Sequence, residues 1–312
     1  MIISTSRRTD IPAFYSDWFF KRIEEGYVLV RNPFNFHQIS KISLKKDAVD
    51  GIVFWTKNPE KMIPKLHLIE DYTYYFQFTL NPYDKKVERN VSEKSHIIEV
   101  FKKLSIKIGK ERVIWRYDPI ILTPEFDIEY HIKSFKEIMS KLYGYTSKCI
   151  ISFVTFYPKV RKNLEKIGAY EINKEQKLEI AYRFYEIAKE HSIKLDICAE
   201  KMDLSPYGIE HARCIDPDLI GELSGKKLGV GKDKNQRKLC GCAESVDVGT
   251  YDTCLHGCIY CYANSNISSI KENVKQYDVN SPLLCSKLAE NDVIKERGIK
   301  SYAISQTSIF DK

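Results

Sequence analysis

The fold of this chain is decided by a repeated strand ending, and the clearest example is Gly51-Ile52-Val53-Phe54-Trp55-Thr56-Lys57-Asn58-Pro59. An apolar run of strand length closes there in a polar turn and a proline. Proline cannot donate to a β-ladder and holds the residue before it in an extended conformation, while asparagine favours the turn that follows. The stretch therefore predicts a buried strand that ends abruptly before a helix.

Similar endings recur in the sequence on both sides of this stretch. They are Asn32-Pro33, Asn81-Pro82, Asp118-Pro119 and Tyr157-Pro158. Strands are predicted at residues 1–4, 27–30, 51–55, 74–80, 112–117, 149–156 and 194–198. Amphipathic segments separate several of them, and this alternation is typical of an α/β domain with a largely parallel sheet. We expect a (β/α) barrel or a partial barrel.

Helices are predicted where apolar residues recur at helical spacing between capping signals. They are expected at residues 17–25 and after residues 92, 127 and 173. Gln176 follows Asn173 by three places, which resembles a capping box. Short helices are expected after Asp216-Pro217 and near residues 286–297. Their apolar stripes need no role beyond packing.

The cysteines are concentrated late in the sequence. The densest run is Cys254-Leu255-His256-Gly257-Cys258-Ile259-Tyr260-Cys261, called here the cysteine loop, and its three thiols form the first cysteine group. Three thiolates this close can surround one face of a metal site, and iron-sulfur clusters are common in thiolate-rich sites. Four protein ligands are usual, so either a fourth residue completes the site or one metal corner stays open for a small molecule.

A second cysteine group is expected from the other clustered thiols, Cys198, Cys214, Cys240 and Cys242. They are enough to complete a site of their own. An auxiliary 4Fe-4S cluster is the leading interpretation, followed by a structural zinc ion and then by buried free thiols. Residues 199–312 are therefore predicted to form a cysteine-rich iron-sulfur cap, without an independent core, on the mouth of a barrel of residues 1–198.

Composition narrows the class of protein. The formal net charge is +7, which suits an anionic substrate or nucleic acid but is also typical of a lysine-rich surface. The basic loop 226–238 is either a solvated linker or a phosphate contact. The sequence has no signal-peptide pattern and no apolar run of membrane-spanning length, so we expect a cytoplasmic protein with reduced thiols and no membrane partner.

Polar residues gather where the predicted strands end, and α/β folds bind ligands at the carboxyl ends of their strands. Some of these residues are expected to be turn caps or salt bridges. The predicted cofactor contacts are Arg7, Lys57, Thr79, Arg116, Asp118 and Glu200. Arg116 and Asp118 share one strand face, so they are either a structural pair or ligands for a carboxylate and a ribose.

Two resemblances extend this interpretation. The chain resembles the domain-of-unknown-function 1848 family on residues 3–15, 53–59, 75–81, 115–119 and 238–242. Residues 251–264 are similar to the cluster loop of radical S-adenosylmethionine enzymes, especially the spore photoproduct lyase group, whose loops have a similar Gly-Cys-Tyr-Cys-Tyr-Ala pattern. In those enzymes the loop follows the first barrel strand, whereas here it follows the last predicted one.

The second resemblance implies that Cys254, Cys258 and Cys261 bind three irons of a 4Fe-4S cluster while S-adenosylmethionine chelates the fourth. Tyr260 matches the aromatic position near the adenine, and His256 is expected to orient the loop. The implied activity is an enzyme that generates a 5′-deoxyadenosyl radical, with an unassigned substrate and a flavodoxin or ferredoxin as electron donor. The alternative is a non-catalytic iron-sulfur or zinc protein that binds nucleic acid through its basic loop.

Overall fold

The structure is a computed structural model, and it describes residues 1–304. Its main sheet contains eight strands, numbered here along the whole chain. In spatial order they are β10 (Val246–Asp247), β1 (Ile2–Thr5), β4 (Gly51–Thr56), β5 (Tyr74–Thr79), β6 (Val113–Ile120), β7 (Lys148–Phe153), β8 (Lys194–Ile197) and β9 (Glu210–His211). Each neighbouring pair is parallel. The predicted α/β class with a parallel sheet is confirmed.

The helices lie between and after these strands. They are α1 (Ile11–Phe14), α2 (Ser16–Glu25), α3 (Lys94–Ile108), α4 (Ile128–Leu142), α5 (Pro158–Glu165), α6 (Lys174–Glu190), α7 (Pro217–Ser224) and α8 (Ile267–Val274). The predicted capping box is present, since Asn173 and Gln176 exchange side-chain to backbone hydrogen bonds at the start of α6. No helix within residues 1–304 is long and apolar enough to cross a membrane.

The strand order is sequential from β4 to β9, so the sheet winds in one direction along most of the chain. A barrel has this order, whereas a doubly wound sheet reverses direction at a switch point. β10 and β9 are the two edges of the sheet. The order therefore fits the partial barrel better than the closed one.

One face of the main sheet is covered by helices. Phe54 of β4 stacks on Phe76 of β5 with ring centroids 4.7 Å apart and packs edge-on against Phe19 of α2. Further along, Trp115 stacks on Phe135 of α4 at 5.0 Å. Burial of such rings stabilises the fold by roughly 1.5–3 kcal/mol each. The helices are thereby fixed on this face.

The opposite face is crossed by the chain that follows β9. Tyr75 Oη and Gln77 Nε2 both donate to the Cys214 carbonyl, at 2.7 and 2.8 Å. Tyr75 and Gln77 are two places apart on β5, so they point to the same side of the sheet. The inner face thus carries polar groups that meet one member of the second cysteine group.

A second sheet corrects two predictions. β2 (Tyr27–Arg31) was expected in the main sheet, but it pairs antiparallel with β3 (Gln38–Ser43), which was not predicted. The six residues between them are too few for the crossover that a parallel pair requires. β2 therefore turns back on β3 as a hairpin.

The helix predicted near residues 286–297 is wrong. Residues Val293–Glu296 form β11, which pairs parallel with β3. Two adjacent β-branched residues, Val293 and Ile294, favour a strand, and the free edge of β3 supplies its hydrogen bonds. Arg31 of β2 holds the residue before β11 in place, because its guanidinium binds both carboxylate oxygens of Asp292, at 2.6 and 2.7 Å.

The domain boundary expected after residue 198 stays a prediction. Two strands beyond that residue, β9 and β10, belong to the main sheet. The main apolar core also includes Val246, Leu284 and Tyr302 together with residues of β1. The later part of the chain therefore shares its core with the earlier part.

Candidate functional site

The cysteine loop is held by the segment that follows β5. Ile259 N donates to Val87 O at 3.0 Å, and Asn90 N donates to His256 O at 2.9 Å. Between these bonds, Glu88 forms an isolated antiparallel bridge with the loop. Backbone pairing with this segment places the loop at the carboxyl end of the parallel strands, where α/β proteins bind ligands.

Glu88 is a site residue that the sequence analysis missed. Its carboxylate is 1% exposed and accepts hydrogen bonds from Lys57 Nζ at 2.7 Å, from Asn81 Nδ2 at 3.1 Å, and from Lys94 and the Tyr260 hydroxyl. Burial alone would raise the pKa of Glu88, but the two ammonium groups outweigh it and lower the pKa to about 2. The network fixes the Tyr260 ring and leaves one net positive charge beside the loop.

Burial raises the pKa of every thiol in the first cysteine group. At Cys254 the nearby Cys261 and Cys258 add to this effect, because a second negative charge opposes ionisation. At Cys258 the Lys57 ammonium partly counteracts burial and leaves the pKa at about 12. A bound metal removes this cost, since it deprotonates its thiol ligands. Three such thiols on one loop are a suitable donor set for a cluster with three protein ligands.

Asp10 connects the cysteine loop to the strand ends. Its Oδ2 accepts from His256 Nε2 at 2.8 Å and from Lys57 N at 2.7 Å, while Oδ1 caps α1 by accepting from Ala13 N at 3.0 Å. The His256 ring also packs against Phe14, with ring centroids 4.6 Å apart. Because Asp10 is anchored on both oxygens, the orientation of the His256 ring is fixed.

Several buried polar side-chain atoms without a partner lie in or near this loop. Among residues 1–304 there are five such atoms: His256 Nδ1, Asn264 Oδ1 and Thr9 Oγ1 in the segment before Asp10, with Arg22 Nε and Asp196 Oδ1 elsewhere. Folded proteins keep few such atoms, because leaving one unpaired costs about 1–3 kcal/mol. The three atoms in or near the loop fit a site whose remaining hydrogen bonds are made by a bound group.

The structure brings the second cysteine group together on the inner face of the sheet. Cys214 Sγ lies 3.7 Å from Cys198 Sγ. Contacts with Cys198 and Cys242, and the Arg116 guanidinium, hold the pKa of Cys214 well below its usual range despite burial. Cys240 completes the group through its contact with Cys242, which lowers the pKa of Cys240 to about 6.

Arg116 is the centre of the inner-face polar network. Its Nη1 lies 2.8 Å from Cys214 Sγ, and its Nη2 donates to Asp118 Oδ2 at 2.5 Å. Arg116 and Arg7 both lie against the Trp55 ring, at 5.1 and 5.8 Å from its centroid. The predicted pairing of Arg116 with Asp118 is present, and in this structure the arginine also contacts the second cysteine group.

The other predicted contact residues lie in different surroundings. Arg7 N donates to Asp247 Oδ2 at 2.8 Å, so Arg7 lies where β10 meets β1. Thr79 is the register partner of Arg116 and lies beside it on the inner face. Glu200 instead accepts from Lys177 Nζ of α6 at 2.9 Å, which is the salt bridge of an ordinary strand end. Lys57, in contrast, is connected to the cysteine loop, because Glu88 binds both Lys57 and Tyr260.

The basic loop is folded against the second cysteine group. Lys232 bridges antiparallel to Ala243, and Asp233 N donates to the Cys242 carbonyl at 2.9 Å. Asp233 is buried, and its carboxylate lies 3.7 Å from the Arg7 guanidinium. These contacts argue against a freely solvated linker for this part of the loop.

No group of three or more His, Cys, Asp or Glu side chains within the described residues is arranged as a preformed site for a single metal ion. The case for a metal centre therefore rests on the donor set, the surrounding charge and the unpaired atoms described above.

Comparison with known proteins gives a family and no curated relative. The family whose pattern matches, over residues 2–263, is described as a domain of unknown function, DUF1848. No curated protein matches the chain. The match covers all eight strands of the main sheet and the entire cysteine loop, and it includes every member of both cysteine groups. The chain therefore belongs to the DUF1848 family.

Proposed function

We propose that this chain is a radical S-adenosylmethionine enzyme, in which Cys254, Cys258 and Cys261 hold a 4Fe-4S cluster with one open iron. The observation that carries the proposal is the position of the cysteine loop relative to the strands of the main sheet. β10 comes late in the chain but lies beside β1 at the edge of the sheet, and the loop follows β10 by a few residues.

This placement accounts for the one large difference from the enzymes that the loop resembles. Counted in space, β10 is the first strand and β1 the second. In space, the cysteine loop thus follows the first strand of the main sheet. Along the sequence, the same strand is the last one of the main sheet. A permuted chain can produce this arrangement while the strand neighbours stay the same.

The charges around the loop support a cluster with bound thiolates. The Lys57 ammonium is near Cys258 and Cys261 and opposes the effect of burial on the pKa of both thiols, which favours their thiolate forms. Tyr260, held by Glu88, would line the adenine position that the resemblance implies. Asp10 and His256 would orient the loop.

The second cysteine group supports an open iron in the first. Cys214 contacts Cys198 and Arg116, so this group is engaged on the inner face of the sheet and is enough for a separate auxiliary 4Fe-4S cluster. Structural zinc is the alternative occupant. The fourth ligand of the first group would then come from the amino and carboxylate groups of S-adenosylmethionine.

The bound cofactor would supply a sulfonium whose one-electron reduction through the cluster would release methionine and provide a 5′-deoxyadenosyl radical for hydrogen abstraction from a substrate. The chain contributes the polar inner face on which that substrate would lie, with Arg116, Asp118, Thr79 and Arg7 along it. We place the reaction in the cytoplasm, with a flavodoxin or ferredoxin as electron donor.

The test is turnover of S-adenosylmethionine by the anaerobically reconstituted chain with a strong reductant. We expect 5′-deoxyadenosine from the wild type, none from Cys258→Ala, and unchanged formation from Cys149→Ala. Cys149 is the matched control because it is a buried cysteine of β7 outside both groups. A fully reconstituted wild type that forms no product would contradict the proposal. Two clusters predict about eight iron atoms per chain, whereas stoichiometric zinc would assign the second group differently.

A further inference from the structure

Two buried hydrogen-bond acceptors in and beside the cysteine loop indicate how a ligand is recognised there. His256 Nδ1 and Asn264 Oδ1 are buried and have no partner within residues 1–304. His256 as a whole is 5% exposed. An unpaired atom at this depth is costly, so both atoms require a bound partner with matching hydrogen-bonding groups.

The remaining contacts of these side chains define that chemistry. His256 Nε2 faces Asp10 Oδ2, and a carboxylate oxygen only accepts, so Nε2 donates to it. In the imidazole tautomer that donates from Nε2, Nδ1 is an acceptor. Asn264 Nδ2 donates to the Cys254 carbonyl at 2.8 Å, which leaves Oδ1 as an acceptor too. The missing partner must therefore donate hydrogen bonds.

Both acceptors belong to residues that contact Cys254. Asn264 binds its carbonyl, and the backbone N–H of His256 donates to its sulfur. Thiolates and the sulfides of a cluster are themselves acceptors, so a cluster alone would leave both atoms unpaired. An amino group that binds beside the cluster has the required N–H donors.

We propose that His256 Nδ1 and Asn264 Oδ1 accept hydrogen bonds from the amino group of S-adenosylmethionine. This inference rests on the proposed function and adds the residues that recognise the amine. Asp10 is the positioning residue of the pair, because its contact sets which ring nitrogen of His256 accepts.

Two substitutions at His256 distinguish its hydrogen bond to the amine from its contact with Asp10, which orients the loop. In His256→Gln the side-chain amide can still donate to Asp10, but nothing replaces Nδ1. In His256→Asn the amide reaches the position of Nδ1 but not Asp10. The measurements on the reconstituted full chain are iron content, the electron paramagnetic resonance spectrum of the reduced cluster, and the Kd for S-adenosylmethionine by equilibrium dialysis.

We expect His256→Gln to keep its iron and its spectrum without S-adenosylmethionine, while its Kd rises about 5- to 100-fold, the cost of leaving one buried N–H donor of the ligand without its acceptor. His256→Asn should retain more affinity than His256→Gln. A Kd of His256→Gln within about twofold of the wild-type value would overturn this inference but leave the proposed function standing.

Other outcomes are equally decisive. Loss of iron from a folded His256→Gln, or a changed spectrum without S-adenosylmethionine, would place Nδ1 against the cluster and overturn the inference. If His256→Gln does not fold, Asn264→Leu decides, and an unchanged Kd in that variant overturns the inference. A wild type that holds iron without binding S-adenosylmethionine would contradict the proposed function itself.

Discussion

The first cysteine group lies on one short loop, whereas the second is assembled from positions that are far apart in the sequence. The loop is fixed from outside, by Glu88 and its lysines and by Asp10. The second group is held by direct contact, with Arg116 against Cys214. The difference agrees with the proposed function, in which the first group leaves one side of a metal free and the second is closed by protein.

The largest expected effect is the loss of stability when Glu88, which supports the first cysteine group but not the second, is replaced. Glu88→Gln leaves Lys57 and Lys94 without a counter-charge, and loss of one partner from a buried ion pair costs about 3–5 kcal/mol. Chemical denaturation of the metal-free chain measures this loss. The matched control is Glu125→Gln, which removes an exposed ion pair with Lys86 and should cost about 0–1 kcal/mol. Equal stability of the two variants would contradict the assigned role of Glu88.

A second effect concerns the apolar cluster behind the cysteine loop, in which Ile259 packs with Tyr83. The neighbouring His131 is buried, donates from Nε2 to Ile121 O at 2.9 Å and accepts from the Tyr117 hydroxyl, and burial lowers its pKa to about 4. The unfolded chain binds a proton below about pH 6.5, but the folded chain does so only near pH 4.

The contribution of His131 to the free energy of unfolding is therefore complete at pH 7. About 3 kcal/mol of this free energy is lost as the pH falls from about 6.5 to 4. Urea denaturation at several pH values measures the slope. His131→Gln should be less stable at pH 7 and should lose this part of the pH dependence. An unchanged slope would show that another group titrates.

The smallest effect tests the second group. Arg116→Met removes the contacts to Asp118 and Cys214, and loss of a charged hydrogen bond costs about 1.5–3 kcal/mol. Metal retained by the second cysteine group should fall, while the iron bound by the first stays unchanged. Arg183→Met, which breaks an ion pair with Glu129 at the surface, is the control. Loss of metal from both groups in Arg116→Met would remove the distinction between them.

The parts of the fold that depend on local sequence were predictable. Apolar runs that end in Asn-Pro placed β4 and β5, and the Asn173 capping box placed the start of α6. Asp118-Pro119 was expected to close a strand, but it lies within β6, which continues to Ile120. β2 and β11 were assigned wrongly because their partner is β3, and no local pattern reveals which edge a short strand will join. Asp118 was recognised through its spacing from Arg116.

Glu88 shows why the site was only partly predictable. It lies in Asp84-Lys85-Lys86-Val87-Glu88-Arg89, which has the composition of a solvated charged turn. Its burial arises from Lys57 and Tyr260, which come from distant segments, and from Lys94 at the start of α3. The four cysteines of the second group were predictable as a set, but their contact with Arg116 depends on the path of the chain across the sheet.

The pairing of β10 with β1 has a consequence for biosynthesis. Ile3 leaves the ribosome early, but its partner Val246 follows only after most of the chain has been made. Until then one edge of β1 presents unpaired backbone groups, which are a template for association with other chains. The strand that precedes the cysteine loop can join the sheet only at this late stage, so the loop reaches its folded position late in synthesis. Chains that stop before β10 should accumulate as aggregates.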